Sequence, residues 1–389
     1  MIQNPLLVQE LLERCISFIS DLDDLSLRGQ TSALLSCALV SRSWVHPAQA
    51  NLLCAPHLTN PTTRAPGPSL LRLLSTLDSF PYLIPHVRLL ALDVVFSAMQ
   101  SRTSQTVEHL PFTNLHSVSI RVARCEPALQ VLFRLPTLAH INIRAIVVHL
   151  SDFTGIWQHC TPSIRHLQLQ IFFNFVTNTT QNTNDSRIRG ELIKLASLQL
   201  ILNYSRPAQE HSFDPYSWIL YPFDLSQVEY LSIRDSKGAS RAQFGTKVKL
   251  LDVYATPREP ALDLSMFPQL SVFRISRVAK ITPALLDTLS SITPNVRRVM
   301  IDLDYEDLDY DILGYWRSTR LRKAECPRLD SILSTLRSEC VELEATPRGK
   351  AYKVAVKSFP KLMACNKFSL VPRQEELSEE WWMDLVKMM

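Results

Sequence analysis

Glycine is scarce. The chain has eight glycines in 389 residues, where average usage would give roughly three times as many. Loops that cradle phosphates need glycine for close backbone approach, and neither GxGxxG nor GxxxxGK[ST] occurs. Nucleotide-dependent catalysis therefore lacks its usual scaffold. HExxH and GxSxG are absent as well, so no catalytic residue and no cofactor is expected. The eight cysteines, Cys15, Cys37, Cys54, Cys125, Cys160, Cys326, Cys340 and Cys365, form no CxxC pair, which argues against a zinc framework. No Lys/Arg block interleaved with aromatics appears, and 41 basic residues against 37 acidic ones leave a net charge of only +4. That balance argues against a nucleic-acid partner. The most apolar stretches are broken by Arg88 and Asp93 or by Arg28, so no membrane span is expected. The N-terminus has no basic region, and Glu10 and Glu13 interrupt any apolar core, so no signal peptide is expected either. Reduced cysteines and a cytoplasmic or nuclear location follow as expectations. The sequons at Asn178, Asn184 and Asn203 are then expected to be unused.

What is present is apolar patterning. Hydrophobic residues make up 46% and charged residues 20% of the chain, enough for a large core or two domains. Leu7, Leu11, Leu12, Cys15, Ile16 and Ile19 predict an amphipathic helix. A second is predicted from a cap at Thr31 or Ser32, with Leu34, Leu35, Ala38 and Leu39 on one face. A break is expected near His46, with Pro47 in the first turn of a third helix. Three helices in about fifty residues bury too little surface to be stable alone, so a partner would stabilise them.

The run Ala38-Leu39-Val40-Ser41-Arg42-Ser43-Trp44, followed by Pro47-Ala48 and Leu52-Leu53, resembles the last part of an F-box in its divergent, fungal-type form. Pro5-Leu6-Leu7 and Glu10-Leu11-Leu12 resemble its first helix. The family usually has Leu-Pro-x-Glu where this chain has Leu7-Val8-Gln9-Glu10. The resemblance covers about residues 4 to 55. It implies docking to a Skp-family adaptor of a cullin ligase, with Leu6, Leu7, Leu11, Leu12, Leu39, Val40 and Trp44 as contacts.

Prolines between His57 and Pro68 mark a linker, and Leu70, Leu71, Leu73, Leu74 and Leu77 predict a helix ending before Pro81. From Val87 one pattern returns: apolar, two variable, apolar, one variable, apolar. The triplets are Val87/Leu90/Leu92, Leu115/Val118/Ile120, Leu138/Ile141/Ile143, Ile164/Leu167/Leu169 and Leu195/Leu198/Leu200. They continue as Val228/Leu231/Ile233, Val248/Leu251/Val253, Leu270/Phe273/Ile275 and Val296/Val299/Ile301, with Leu321/Ala324/Cys326 a weaker tenth. Leucine-rich repeats share the LxxLxL core at spacings of about 20 to 29 residues, and the body resembles them. Several triplets follow a proline turn, such as Leu135-Pro136, Thr161-Pro162, Phe267-Pro268 and Thr293-Pro294. A helix is predicted over Pro283 to Ser290. The family's Asn or Cys after the strand is replaced here by Val95, Ala123, Ile146 and Phe172. No regular side-chain ladder is therefore expected, and the solenoid should be irregular.

Alternate strand residues face opposite sides, so the intervening residues are expected on a solvated face. They include Ser119, Arg121, His140, Asn142, Arg144, His166, Gln168, Gln170, Tyr230, Ser232, Arg234, Asp252, Tyr254, Arg274, Arg298 and Asp302. Arg121, Arg144, His166, Tyr230, Arg234, Tyr254, Arg274 and Arg298 are the candidate target-binding residues. On this reading Ser232→Asp is tolerated whereas Leu231→Asp and Ile275→Asp are not.

Three other features are weaker. The acids Asp302, Asp304, Glu306, Asp307, Asp309 and Asp311 lack the glycine and glutamate of a calcium loop, since the sixth and twelfth places hold Asp307 and Leu313. His159 and Cys160 have His166 nearby, but His166 falls on the expected exposed face and no third metal ligand is evident. Glu375, Glu376, Glu379 and Glu380 precede Trp381, Trp382, Leu385 and Met388, predicting an amphipathic C-terminal helix that caps the repeats.

The expected organisation is α/β: residues 1–55 a three-helix F-box-like unit, 56–68 a linker, 69–373 an irregular leucine-rich-repeat solenoid, and 374–389 a terminal helix. The expected function is the substrate-recognition subunit of an SCF-type ubiquitin ligase, with an unidentified target protein on the repeats. The alternative is a non-catalytic scaffold whose helices are only an N-terminal cap.

Overall fold

The computed structural model describes residues 11–16, 27–40, 42–54, 68–94, 109–122, 130–145, 160–173, 192–204, 223–233, 244, 246–254, 261–278, 281–303, 326–345, 358–366 and 368–372. Leu6, Leu7, Arg234, the 304–311 acids, His159 and the 374–389 tail lie outside these residues. The chain is α/β with parallel strands. It divides into two compact units, Met1–Ile193 with Asn203–His211, and Lys194–Leu202 with Ser212–Met389.

The first unit opens with α1 (residues 11–16), α2 (Leu27–Val40) and α3 (Arg42–Cys54). Their shared core is Ile16, Leu34 and Ala48, with Leu12, Cys37, Ala38, Trp44 and Leu52 packed against it. α3 runs through His46, where a break was expected, and Pro47 lies inside it. Its missing N–H removes one bond early in the helix, while its own carbonyl accepts a bond from the Asn51 side-chain amide at 2.9 Å. The four-residue face expected on α2 also splits. Leu34 turns inward with Ala38, while Leu35 and Leu39 stand outward. A short 3₁₀ segment, Pro81–His86, follows α4 (Pro68–Ser79). The His46 ring on α3 meets His86 edge-on at 4.9 Å.

Four strands of this unit pair in chain order, each parallel to the last: β1 (Leu89–Val94), β2 (Ser117–Val122), β3 (His140–Ala145) and β4 (His166–Phe173). A helical turn, α5 (Gln130–Phe133), lies between β2 and β3. The second unit holds most of β5 (Ser197–Tyr204), then β6 (Tyr230–Ile233), β7 (Leu250–Tyr254), β8 (Val272–Val278), β9 (Arg298–Leu303), β10 (Cys340–Ala345) and β11 (Phe368–Pro372). These too are parallel neighbours in chain order. Parallel neighbours need crossover connections. Here α6 (Pro283–Ser290), α7 (Cys326–Thr335) and α8 (Pro360–Ala364) lie in three of them, with α7 packed on both others. The Thr282 hydroxyl caps α6 by accepting the Leu285 N–H at 3.1 Å. Asp330 of α7, 2% exposed, accepts the Lys361 and Leu362 N–H groups at 3.0 and 2.8 Å and so caps α8.

Every residue of the nine leading triplets is buried, none above 7% exposed. What sets their phase is a turn. The N–H of the first apolar residue bonds the carbonyl three residues back at Val87, Leu138, Ile164, Val228, Leu270 and Val296. Pro85, Pro136, Pro162, Pro268 and Pro294 occupy the second position of such turns, where a fixed φ suits the backbone. Asp224 and Asp263 do related work in Asp-Leu-Ser segments, each accepting a backbone N–H two residues on at 2.9 Å. Those hydrogen bonds, from Ser226 and Ser265, hold both carboxyls below the ordinary value.

A side-chain ladder exists although none was expected, and it stands ahead of the strands rather than after them. Asn114 donates to the Pro85 carbonyl at 2.9 Å, Thr137 to Leu115 and Ser163 to Leu138 at 2.8 Å, and Asn295 to Pro268 at 3.1 Å. Each of these side chains immediately precedes a triplet.

Two expectations are corrected. Cys326 does not end a strand triplet but begins α7, its side chain buried at 1% exposure. The tenth and eleventh strands are β10 and β11, where Ser338 and Cys365 replace the first large apolar residue and hide the pattern. Second, much of the face opposite the triplets is buried. Tyr230, Ser232, Asp252, Arg274 and Asp302 are between 0% and 9% exposed, as are His140, Asn142 and Gln168. In-register neighbours on parallel strands shield one another: Arg274 ion-pairs Asp252 at 3.7 Å, and Asp252 accepts hydrogen bonds from Ser232 and Ser276 at 3.1 and 2.7 Å.

Ser232→Asp should therefore fail to fold, as Leu231→Asp should, because each buries an uncompensated charge. Ser232→Ala should cost about 1–3 kcal/mol in urea melts. A Ser232→Asp protein as stable as wild type would contradict this burial.

Candidate protein-docking surfaces

Two surfaces carry the residues expected to bind partners. The first is helical. On α2, Leu35 is 53%, Leu39 88% and Val40 64% exposed, and Leu11 on α1 is 54% exposed. Leu35 and Leu39 lie one turn apart, so their side chains adjoin. Leu12 is half-buried and committed to the helical core, and so is Trp44. Leu35 is not among the expected adaptor contacts, and its spacing from Leu39 is the same as that of the inward Leu34/Ala38 pair. The small side chains at Cys37 and Ala38 were the available signal, since small residues let helices approach.

The second surface is the polar side of the strands. In the first unit Arg121 pairs in register with Arg144, and Arg144 with Gln170. Both arginines are exposed and Gln170 is half-buried. One row nearer the strand starts, Asn142 and Gln168 are buried at 4% and 5% exposure. The outermost row holds Ser117, His140 and His166. The His140 and His166 rings meet edge-on at 6.0 Å, and His140 Nδ1 lies 3.2 Å from the Ser117 hydroxyl. His140 Nε2 has no hydrogen-bond partner among the described residues. Burial, and secondarily His166, lowers the His140 pKa to about 4. Burial and then Arg165 lower that of His166.

In the second unit Arg298 is half-buried and ion-paired to Glu342 at 2.7 Å. Tyr254 is half-buried, whereas Tyr230 and Arg274 are buried. Of the candidate target-binding residues described, Arg121 and Arg144 are therefore the exposed ones; His166, Tyr254 and Arg298 are half-buried. An open polar cleft of about 450 Å³ lies at the turn edge, lined by Pro268, Gln269, Ser271, Pro294, Asn295, Arg297 and Glu339. Lys249 and Glu229 form an ion pair at 3.0 Å on the same edge.

Burial pushes the Cys160 thiol well above its ordinary value, so it stays protonated at neutral pH. Among the described residues no three His, Cys, Asp or Glu side chains are grouped to hold a metal ion, and no helix is long and apolar enough to cross a membrane. No protein-family model matches the chain, and no curated protein sequence matches it.

A histidine whose folded pKa is depressed favours folding fully above its unfolded value and loses that contribution as pH falls toward the folded pKa. For His140 the window runs from about 6.5 down to about 4, with a loss of about 3 kcal/mol at its acid end. Urea melts of wild type and His140→Gln across this range should converge as pH falls. Parallel curves would contradict the burial of a neutral ring.

Proposed function

We propose that the chain is the substrate-recognition subunit of an SCF-type ubiquitin ligase: an F-box-like helical unit joined to an irregular leucine-rich-repeat body. The helices dock a Skp-family adaptor and the repeats hold a target protein. The observation that carries the first half is the outward Leu35, Leu39 and Val40 surface of α2, within and beside the Ala38–Trp44 run that resembles the family. Exposed apolar surface of this kind marks an interface on a soluble chain. The second half is supported by strands paired in chain order within each unit and by the burial of every leading triplet, a packing that suits a leucine-rich-repeat solenoid. The chain itself makes or breaks no bond. Its effect is proximity, raising the local concentration of target lysines at the ligase.

A second reading, a scaffold with a helical cap, is favoured by Trp44 packing on the helical core and by His46 of α3 meeting His86 at 4.9 Å. Co-purification separates the two. Leu35→Ala with Leu39→Ala, leaving Trp44 intact, should lower adaptor capture by tenfold or more, or about 1.4 kcal/mol, while circular dichroism is unchanged. Wild-type protein that binds no Skp-family adaptor from its own organism would leave the scaffold reading in its place.

A further inference from the structure

We infer that the cleft at the turn edge of the second unit is a docking site for an extended segment of a partner protein that carries an acidic and a basic side chain two residues apart. The inference deepens the target-receptor reading and rests on it for biological meaning, though not for the binding itself. Ser271, Arg297 and Glu339 hold the same place in three successive repeats. Backbone bonds of 2.8 Å link them, from the Arg297 N–H to the Ser271 carbonyl and from the Glu339 N–H to the Arg297 carbonyl. In the two repeats before Ser271 that place holds Glu229 and Lys249, whose side chains close on each other at 3.0 Å. Arg297 and Glu339 stay apart. Both are exposed and line the cleft of about 450 Å³, and neither side chain has an ion pair or hydrogen bond among the described residues. A cation and an anion are thus offered from adjacent strands about 4.8 Å apart. Exposed ion pairs add little stability, so a ligand that engages each of them separately displaces little.

The rest of the cleft is held firmly. Proline fixes φ at Pro268 and Pro294. The Asn295 side chain is tied to the Pro268 carbonyl at 3.1 Å, and the Ser271 hydroxyl to the Lys249 carbonyl at 3.1 Å. Gln269 is exposed, has no side-chain hydrogen bond among the described residues, and offers its amide to a peptide group. Same-side residues of an extended peptide recur at about 6.8 Å. A carboxylate can therefore meet the Arg297 fork while an amine two residues on meets Glu339. The guanidinium–carboxylate half pairs through two N–H···O bonds, stronger than neutral ones. Other ligands fit less well. Small-molecule sites are mostly apolar, whereas five of the seven residues lining this cleft are polar or charged. A nucleic acid would set phosphates beside the Glu339 carboxylate, where affinity depends on neutralising them.

The test is fluorescence anisotropy of the full chain, without adaptor, using a labelled peptide that repeats Glu-Ser-Lys-Ser. Binding should weaken with salt and fall about tenfold or more in Arg297→Glu and in Glu339→Lys, with unchanged thermal melts. Arg297→Glu combined with Glu339→Lys should recover most of it, because the repeating peptide shifts by two residues to match the exchanged charges. No binding at about 1 mM peptide, or unaltered affinity in both single variants, would overturn the site. So would a double variant no better than either single one, or a repeated Glu-Ser or Lys-Ser peptide that competes as well as the mixed one. A chain that binds the peptide through this pair yet captures no adaptor keeps the site and overturns only the ligase reading.

Discussion

Strand placement depends on one repeated backbone hydrogen bond. The residue after the first apolar position of a triplet donates its N–H to the carbonyl of its counterpart in the repeat before: His116 to Arg88, Ala139 to His116, and Arg165 to Ala139, at 2.8–2.9 Å. In the second unit Glu229, Lys249, Ser271, Arg297 and Glu339 repeat it at the same lengths. Before Leu138, Ile164, Val228, Leu270 and Val296 the preceding turn also closes on itself, so these strands begin at a fixed height on their neighbours. Register follows, and with register the stacking of Leu on Ile on Val through each core. A slip of one residue would turn every triplet outward, so turn and core specify the same arrangement.

The apolar triplets were legible because burial at a fixed spacing leaves a periodic mark. The proline turns were legible because proline restricts φ at a recurring place. The polar residue ahead of each triplet was equally periodic, and its role was missed. His86, Asn114, Thr137, Ser163, Lys194, Gln227, Lys247, Gln269 and Asn295 all hold that place, and four of them reach back to a carbonyl of the preceding turn. The ladder position of leucine-rich repeats, after the strand, holds Ala123 and Ile146 here. The burial of Ser232, Asp252 and Arg274 was not legible at all. Alternation tells which side a residue faces, but whether an in-register neighbour covers it depends on pairing between strands.

The candidate surfaces follow the same logic. Where the polar face carries mutually satisfying groups, as at Ser232, Asp252, Ser276 and Arg274, it is closed. Farther along the first-unit strands, Arg121 and Arg144, in register on β2 and β3, remain exposed. On α2 the division is between faces of one helix. Leu34 and Ala38 belong to the intramolecular core, while Leu35, Leu39 and Val40 stand exposed. The sequence pattern of the helix was apolar on both sides, and only the packing of α1 and α3 decided which side faced inward.

Native-state hydrogen exchange reads the repeated bond directly. The amides of His116, Ala139 and Arg165, and of Glu229, Lys249, Ser271, Arg297 and Glu339, should all be protected to a similar degree, because each lies between two buried triplets. The neighbouring Asn114, Thr137 and Asn295 amides, outside the rung, should exchange faster. Rapid exchange at the rung amides, or protection no greater than at the turn residues beside them, would contradict a fold built on these strand-to-strand bonds.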